Sequence, residues 1–336
     1  MIVAFNSADD LARTLPGLAA ELFAGDEVIV VDNGSDDDLA GVVEAALPEA
    51  RIAPMNGNAG YTAAVNRGAE MAGGDLLVAL NPEAMPEPGF GEAIRIPLSD
   101  GSAWAAGMAL VVCHEGGHRL INSAGNPLHF TGFSWAGEHG VPASSAGGSR
   151  PVPTMSGACL AIPRANWLKF GGFPDDFFLY QEDTDLSVRL RLAGEQIGLL
   201  TEAVVDHDYD FGRRGQKYMW LERNRWAMMI RNYPASLLLL ISPALFVTEI
   251  ALLGVAARGG WLGAKLKANR DLLVWFPRLL GERRRIQASR RISTAGFASI
   301  LTPDLDSDFF PGFVRSAPMR FLLRGYWRAV QALLRG

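Results

Sequence analysis

Apolar and polar positions in the first part of the chain switch between two periods. Short apolar runs at residues 2–5 (IVAF), 27–31 (EVIVV) and 75–80 (DLLVAL) have the near-continuous, β-branched character of buried strands. Between them, residues 8–22, 39–46 and 63–71 carry apolar side chains at helical spacing. Strands alternating with helices predict βαβ units, a parallel sheet and right-handed crossovers. Residues 156–163 predict a further strand. Residues 183–193 (DTDLSVRLRLA) predict a helix that starts at an acidic pair. The stretch 102–153 is rich in Gly and Ser with scattered aromatics, and irregular strands and loops on the far side of the sheet are expected there.

The last third reads differently. Residues 235–257 contain one charge, Glu249, over a length that can span a bilayer. Pro243, near the middle, is expected to kink that segment. Arg223, Arg225 and Arg231 precede it, and Arg258, Lys265 and Lys267 follow it, so the flanks give no orientation. A kinked re-entrant hairpin or an interfacial helix pair fits better than one crossing. Two core helices of a helical subdomain or of a homodimer satisfy the same pattern. Further on, Trp261, Trp275, Phe276, Tyr326 and Trp327 alternate with arginines, and residues 282–291 read ERRRIQASRR. Such interleaving is typical of segments that lie on a membrane surface. The expected division is a catalytic domain over 1–232 and a helical, membrane-interfacial region over 233–336.

Composition sharpens this division. Of 336 residues, 49% are hydrophobic and 20% charged, which excludes a disordered chain. The formal net charge of −5 hides an asymmetry. After Tyr233 there are 15 Lys and Arg against 6 Asp and Glu, so the acidic body carries a basic, apolar tail. That tail calls for an anionic surface, of phospholipid or of nucleic acid. No nucleic-acid-binding motif accompanies it, so nucleic acid is not an expected partner. The two cysteines, Cys113 and Cys159, have no metal-ligand spacing and are expected to be small buried hydrophobes in a reducing compartment. Met1 leads straight into the first apolar run with no basic stretch before it, so a signal peptide is not expected.

Candidate chemistry gathers where strands end. In an open α/β sheet, ligands bind at the carboxyl ends of the strands. Asn6-Ser7, Asp32 and Asn81-Pro82-Glu83 follow the three apolar runs named above and should share one rim. A single acid after a strand is commonly a turn former or helix cap, and three clusters on one edge argue for a site.

These residues resemble glycosyltransferase family 2. The resemblance rests on FNS at 5–7, VVDNGSDD at 30–37 and NGNAGYTAAVNRGAEMAGGDLLVALNPEA at 56–84. It continues through SGACLAIPR at 156–164, GGFPDDFFLYQEDTDLSVRLRLAG at 171–194 and VVDHDYDFG at 204–212. The pattern covers about two thirds of the chain. It is most similar to the subgroup that adds rhamnose or related sugars to lipid-linked glycans. The resemblance implies a GT-A fold: a Rossmann-like, mostly parallel α/β sheet, here followed by a C-terminal helical, membrane-associating region.

The resemblance also implies roles. Asp32 would accept the N3–H of uracil or thymine. Asn6, Asn58, Gly60, Asn66 and Asn81 would line the nucleotide-sugar site. Glu83 would hold Mg2+ or Mn2+ against the donor diphosphate, with His207 as a further metal ligand. The acid motif departs from the common pattern, with Asn81 first and Glu rather than Asp at 83. Asp183 would be the catalytic base and Glu182 would orient the acceptor. Asp185 fits a helix-terminal acid as well as a functional one. Lys217 and Arg223, with Arg213 and Arg214, would grip the diphosphate from a closing loop. His114, His118, His129 and His139 are expected as loop residues or acceptor contacts. The implied activity is an inverting, metal-dependent hexosyltransferase. It would use a dTDP- or UDP-sugar, and a polyprenyl-linked or envelope glycan acceptor, at the cytoplasmic face of the membrane. The alternative is a non-catalytic or nucleotidyltransferase-type protein that binds sugar nucleotides.

Overall fold

The computed structural model describes residues 1–99, 103–207, 215–307, 310 and 312–335. The chain forms two compact units. The first comprises Met1–Asn126, Ala136–Leu190 and Glu195–Phe211. The second comprises Pro127–Trp135, Arg191–Gly194 and Gly212–Gly336.

The first unit is built on one mixed sheet. In chain order its strands are β1 (Ile2–Ala4), β2 (Ile29–Asp32), β3 (Arg51–Pro54), β4 (Leu76–Leu80), β5 (Ala84–Pro86), β6 (Trp104–Glu115), β7 (His118–Ser123), β8 (Arg150–Pro151), β9 (Cys159–Pro163) and β10 (Gln196–His207). The hydrogen-bonded order is β3-β2-β1-β4-β9-β6-β10-β5, with β7 on β6 and β8 on β10. The half from β3 to β4 is parallel. Its crossover helices are α1 (Ala8–Ala20), α2 (Leu39–Ala46) and α3 (Tyr61–Met71), as the alternating pattern predicts. β9 then runs antiparallel to both β4 and β6, while β6 and β10 are parallel. Two helices, α4 (Phe90–Arg95) and α5 (Arg164–Phe170), flank this half.

The stretch 102–153 departs from expectation. It contains β6, a twelve-residue strand in the middle of the sheet, rather than irregular structure on the far side. Its run of Ala105, Ala106, Gly107 and Ala109 has low strand propensity, and packing overrides it. A side chain at Gly107 would press on Leu200, its neighbour across β10, at 2.9 Å. His114 and His118 lie on β6 and β7 rather than in loops.

The second unit is helical: α7 (Gly215–Asn232), α8 (Ala235–Arg258), α9 (Leu262–Ser289), α10 (Thr294–Ala298) and α11 (Ala317–Arg335). The remaining helix of the chain, α6 (Glu182–Leu192), belongs mainly to the first unit. The apolar segment forms one unbroken helix, α8, and not a re-entrant hairpin. Pro243 deprives the Leu239 carbonyl of its usual N–H donor, and the Ser242 hydroxyl donates to that oxygen at 2.8 Å instead. Aromatic pairs fill the interior. Phe130 stacks on Trp327 at 4.9 Å, and Tyr233 meets Phe297 edge-on at 5.2 Å. His129 is fully buried beside Thr131 and the Pro303 carbonyl, and burial pulls its imidazole down to about 3.

A buried ionic cluster joins three of these helices. On α7, Glu222 and Arg225 pair at 3.0 Å. Arg225 also reaches Glu249 of α8 at 2.5 Å. Lys265 of α9, with no exposure, touches both Glu222 and Glu249 at 2.5 Å. The Trp226 indole donates to Glu249 at 2.9 Å. Removing one partner of a buried pair leaves uncompensated charge and costs about 3–5 kcal/mol. Lys265→Met, which keeps the volume, is therefore expected to destabilise the second unit by about that amount. Urea unfolding followed by tryptophan fluorescence checks this, and an unchanged midpoint would contradict it.

Candidate active site

The first cluster lies where β1 and β2 end. Asp32, the last residue of β2, accepts from the Ser35 amide at 2.8 Å. Asn6 has a positive φ of 53°. Its own amide donates to the Ser35 hydroxyl, and its side-chain oxygen accepts from the Asp36 amide at 2.8 Å. Asn6 and Asp32 thus share one turn. Beneath them Asn33, only 2% exposed, donates to the Asn58 side-chain oxygen at 3.1 Å and accepts from the Ala59 amide at 2.9 Å. The Asn58 oxygen also accepts from the Gly60 amide. Gly60 is required as glycine. It has φ +92°, and a Cβ there would lie 2.6–2.7 Å from the ring and backbone of Phe178. Asn66 uses its side chain as a brace. It donates to the Phe173 carbonyl and to Asp175, and accepts from the Phe173 amide at 3.0 Å.

A second cluster sits at the end of β4. The Asn81 side-chain Nδ2 lies 3.3 Å from Glu83 Oε1 and 3.3 Å from His207 Nε2, and His207 Nε2 is 3.0 Å from Glu83 Oε1. Register explains this convergence across 124 residues. β5 and β10 are antiparallel with Ala84 opposite His207, so the residue before Ala84 meets the last residue of β10. Burial works to raise the Glu83 carboxyl, yet the hydrogen bond and charge of His207, with help from Asn81, hold it below the usual range.

The third cluster opens α6. Asp183 Oδ2 accepts from the Gly157 amide at 2.9 Å, and its Oδ1 accepts from the Thr184 amide and hydroxyl. Glu182 is 5% exposed, and its Oε2 has no hydrogen-bond partner among the described residues. Burial and the adjacent Asp183 push the Glu182 carboxyl well up, and burial also raises Asp183. The preceding loop holds the pair in place at a conformational cost, because Phe178, Tyr180 and Gln181 all have positive φ. Asp185 is structural. It is fully buried and pairs with Arg189 at 2.8 Å, whose guanidinium donates to the Phe170 and Gly172 carbonyls.

One residue outside the expected set connects these clusters. The Tyr61 hydroxyl, on the first turn of α3, donates to the Gly157 carbonyl at 3.1 Å. Burial, and then the charges of Glu182, Asp183 and Glu83, push that hydroxyl well above its ordinary range. The signal was its place just after Gly60 in the Gly-rich motif.

Lys217 and Arg223 belong to α7 in the second unit. Arg223 is 7% exposed, lies 4.3 Å over the Trp275 ring and donates to Asn224. Burial brings its guanidinium down to about 10, opposed by Asp271. Arg213 and Arg214 lie outside the described residues.

Among the described residues, no three His, Cys, Asp or Glu side chains gather as a metal cage. Glu83 and His207 nonetheless fit a divalent cation that takes its other ligands from a diphosphate. A carboxylate oxygen and an imidazole nitrogen already sit 3.0 Å apart, and Mg2+ commonly binds one or two carboxylates plus substrate phosphates.

The sheet, with polar clusters at its strand ends, has GT-A architecture. The family described as "Glycosyltransferase like family 2" matches residues 1–229, and the chain belongs to that family. Among curated relatives is the N-acetylglucosaminyl-diphospho-decaprenol L-rhamnosyltransferase of two Mycobacterium tuberculosis strains. It is 29% identical over 220 residues, covering 57% of this chain and 69% of the relative. Two solved structures share the fold. GalNAc-T7 with UDP, GalNAc and Mn2+ has a TM-score of 0.57 at 16% identity, over 68% of this chain and 47% of that one. This chain thus spans about half the length of GalNAc-T7. Staphylococcus aureus TarS 1–349 in complex with UDP has a TM-score of 0.52 at 13% identity, over 100% and 90%.

The raised acid pair has a consequence for stability. Carboxyls with raised folded values hold protons that the unfolded chain has released. Their ionisation therefore costs nothing below the ordinary carboxylate range, and stability is lost as pH rises through the raised range. Glu182→Gln removes one of the two charges. Its thermal midpoint is expected to rise relative to wild type as pH increases above the ordinary carboxylate range. Thermal melts across a pH series check this, and a difference independent of pH would contradict it.

Proposed function

We propose that the chain is an inverting, metal-dependent transferase that moves a rhamnose-like sugar from a nucleoside diphosphate, dTDP or UDP, to a polyprenyl-linked envelope glycan. The observation that carries this reading is the buried, raised carboxyl of Asp183 at the start of α6, fixed by the Gly157 amide beside Glu182. A base with a raised value sits closer to working pH and is better matched to taking a proton from a sugar hydroxyl. Asp183 would take that proton as the acceptor oxygen attacks the anomeric carbon from the face opposite the nucleotide, which inverts that centre. Glu182, whose Oε2 has no hydrogen-bond partner among the described residues, would orient the acceptor.

Asn6, Asp32, Asn58, Gly60 and Asn81 would meet the nucleotide sugar, with Asp32 on the pyrimidine. Asn66 would support the same pocket by bracing residues 173–175. Glu83 and His207 would hold Mg2+ or Mn2+, which supplies charge neutralisation to the departing diphosphate. The name of the mycobacterial relative specifies a decaprenol-linked acceptor and rhamnose, and the basic, apolar helices of the second unit suit an acceptor held at the cytoplasmic face of a membrane.

The test is a donor panel of dTDP-, UDP- and GDP-sugars with a lipid-linked acceptor extract, with and without EDTA. Asp183→Asn is expected to lower transfer about 10²–10⁴-fold while donor affinity by calorimetry is kept. EDTA should abolish turnover, and Mn2+ or Mg2+ should restore it. Equal loss of binding and transfer in Asp183→Asn would sink the base assignment. Full activity in EDTA would remove the metal from the reading.

A further inference from the structure

α8 presents a contradiction when read as a crossing. Its length and composition suit a bilayer span, and little of it is buried. Its outer face exposes Leu239 (74%), Phe246 (69%) and Ile250 (56%). Its inner face carries Leu237, Ile241 and Leu245, all buried, and the next residue on that stripe is Glu249. Glu249 is bound to Arg225 and Lys265, which are 1% and 0% exposed and come from α7 and α9. Threading α8 through hydrocarbon would either carry this cluster inside or strip Glu249 from two buried cations and leave Glu222 as their one shared carboxylate. Either change is costly.

The apolar exposure is not confined to α8. Leu273 and Val274 of α9 are 77% and 73% exposed, and Phe321 of α11 is 82% exposed. These helices pack together, and the Tyr326 hydroxyl of α11 donates to the Leu240 carbonyl of α8 at 2.6 Å. The same three helices carry exposed basic side chains, Arg258, Lys267, Arg285 and Arg328. At the N-terminus of α8, an open cavity of about 390 Å³ is lined by Arg283, Arg284, Arg290, Ser236 and Thr294, with no carboxylate in its wall. Pro234 provides no side-chain cap there. Arg283 donates there to the Ile230 and Tyr233 carbonyls and Arg290 to the Thr294 hydroxyl, so the cavity adds positive charge to this face of the unit.

We infer that the second unit docks on an anionic phospholipid leaflet with α8 lying in the plane of the membrane and its outer face in the acyl boundary. The occupant is identified by charge complementarity: helices that carry exposed apolar and exposed basic side chains together fit a surface that is apolar within and negatively charged at its rim. The cluster around Glu249 holds the inner face of α8 on the protein, so the helix contributes one face to lipid and none to a crossing. This deepens the membrane-bound part of the reading above.

The test uses the full chain with sealed phosphatidylcholine vesicles, with and without phosphatidylglycerol, and donor turnover measured on the same preparations. Flotation is expected to increase at least about tenfold with the anionic lipid and to fall at high salt. The native cysteines are both buried. Ser236→Cys and Ala257→Cys, near the two ends of α8, should both react with a membrane-impermeant maleimide added outside. Protection of one of them until detergent is added would show a crossing and overturn the proposal. Phe246→Glu with Leu273→Glu should lower flotation about tenfold while circular dichroism stays unchanged. Undiminished flotation of that variant, or equal flotation on neutral vesicles, would also overturn it. So would a concentration-dependent dimer in vesicle-free buffer that shields both glutamates. Loss of flotation with donor turnover intact removes the docking surface and leaves the transferase standing. Flotation without turnover does the reverse.

Discussion

Everything at the acidic rim hangs on the approach to β9. This strand is hydrogen-bonded to β4 on one side and β6 on the other, so its position is set from both edges. Just before it, the Ala158 carbonyl accepts from the Asn81 amide at 2.9 Å, and the Gly157 amide donates to Asp183 at 2.9 Å. The Gly157 carbonyl in turn accepts from Tyr61. Two adjacent residues therefore tie the Asn81 turn, the acid pair and the first turn of α3 to the start of one strand. Anchoring at a strand end supplements the loop that precedes α6 and makes the arrangement more precise than a loop alone would.

The second unit solves a different problem. It must expose apolar side chains without losing its fold. Aromatic pairs and a four-member ionic cluster supply the interior, and apolar residues that a soluble domain would bury are left outside. Buried ion pairs contribute little net stability against a hydrophobic replacement, but they are specific about which partners meet. Here that specificity fixes which face of α8 looks inward.

Much of this was legible in the chain. The parallel half announced itself through β-branched runs at 27–31 and 75–80 and helical spacing between them. The acids Glu83 and Asp183 stood in motifs whose order is as informative as their content. Three things were hidden. β6 was obscured because alanine and glycine have weak strand preference and only the crowding of β10 against Gly107 explains them. α8 continues through Pro243, where the Ser242 hydroxyl satisfies the carbonyl that the proline leaves without a donor, and no periodicity reveals that. The bracing use of Asn66 depends on a loop more than a hundred residues away. Local patterns carry local structure, and what they miss is what long-range contacts decide.

The meeting of Glu83 and His207 carries a temporal meaning. His207 closes β10, which pairs with β6 along most of its length and with β5 at its tip. Contacts of such sequence separation form late, because the loop entropy must be spent before they give anything back. The sheet on the β1 side can assemble from neighbouring segments, whereas the contact between Glu83 and His207 exists only once β10 is fully zipped. During synthesis the chain would thus be unable to make this contact until residue 207 has emerged and joined the sheet, which makes it a marker of the completed sheet.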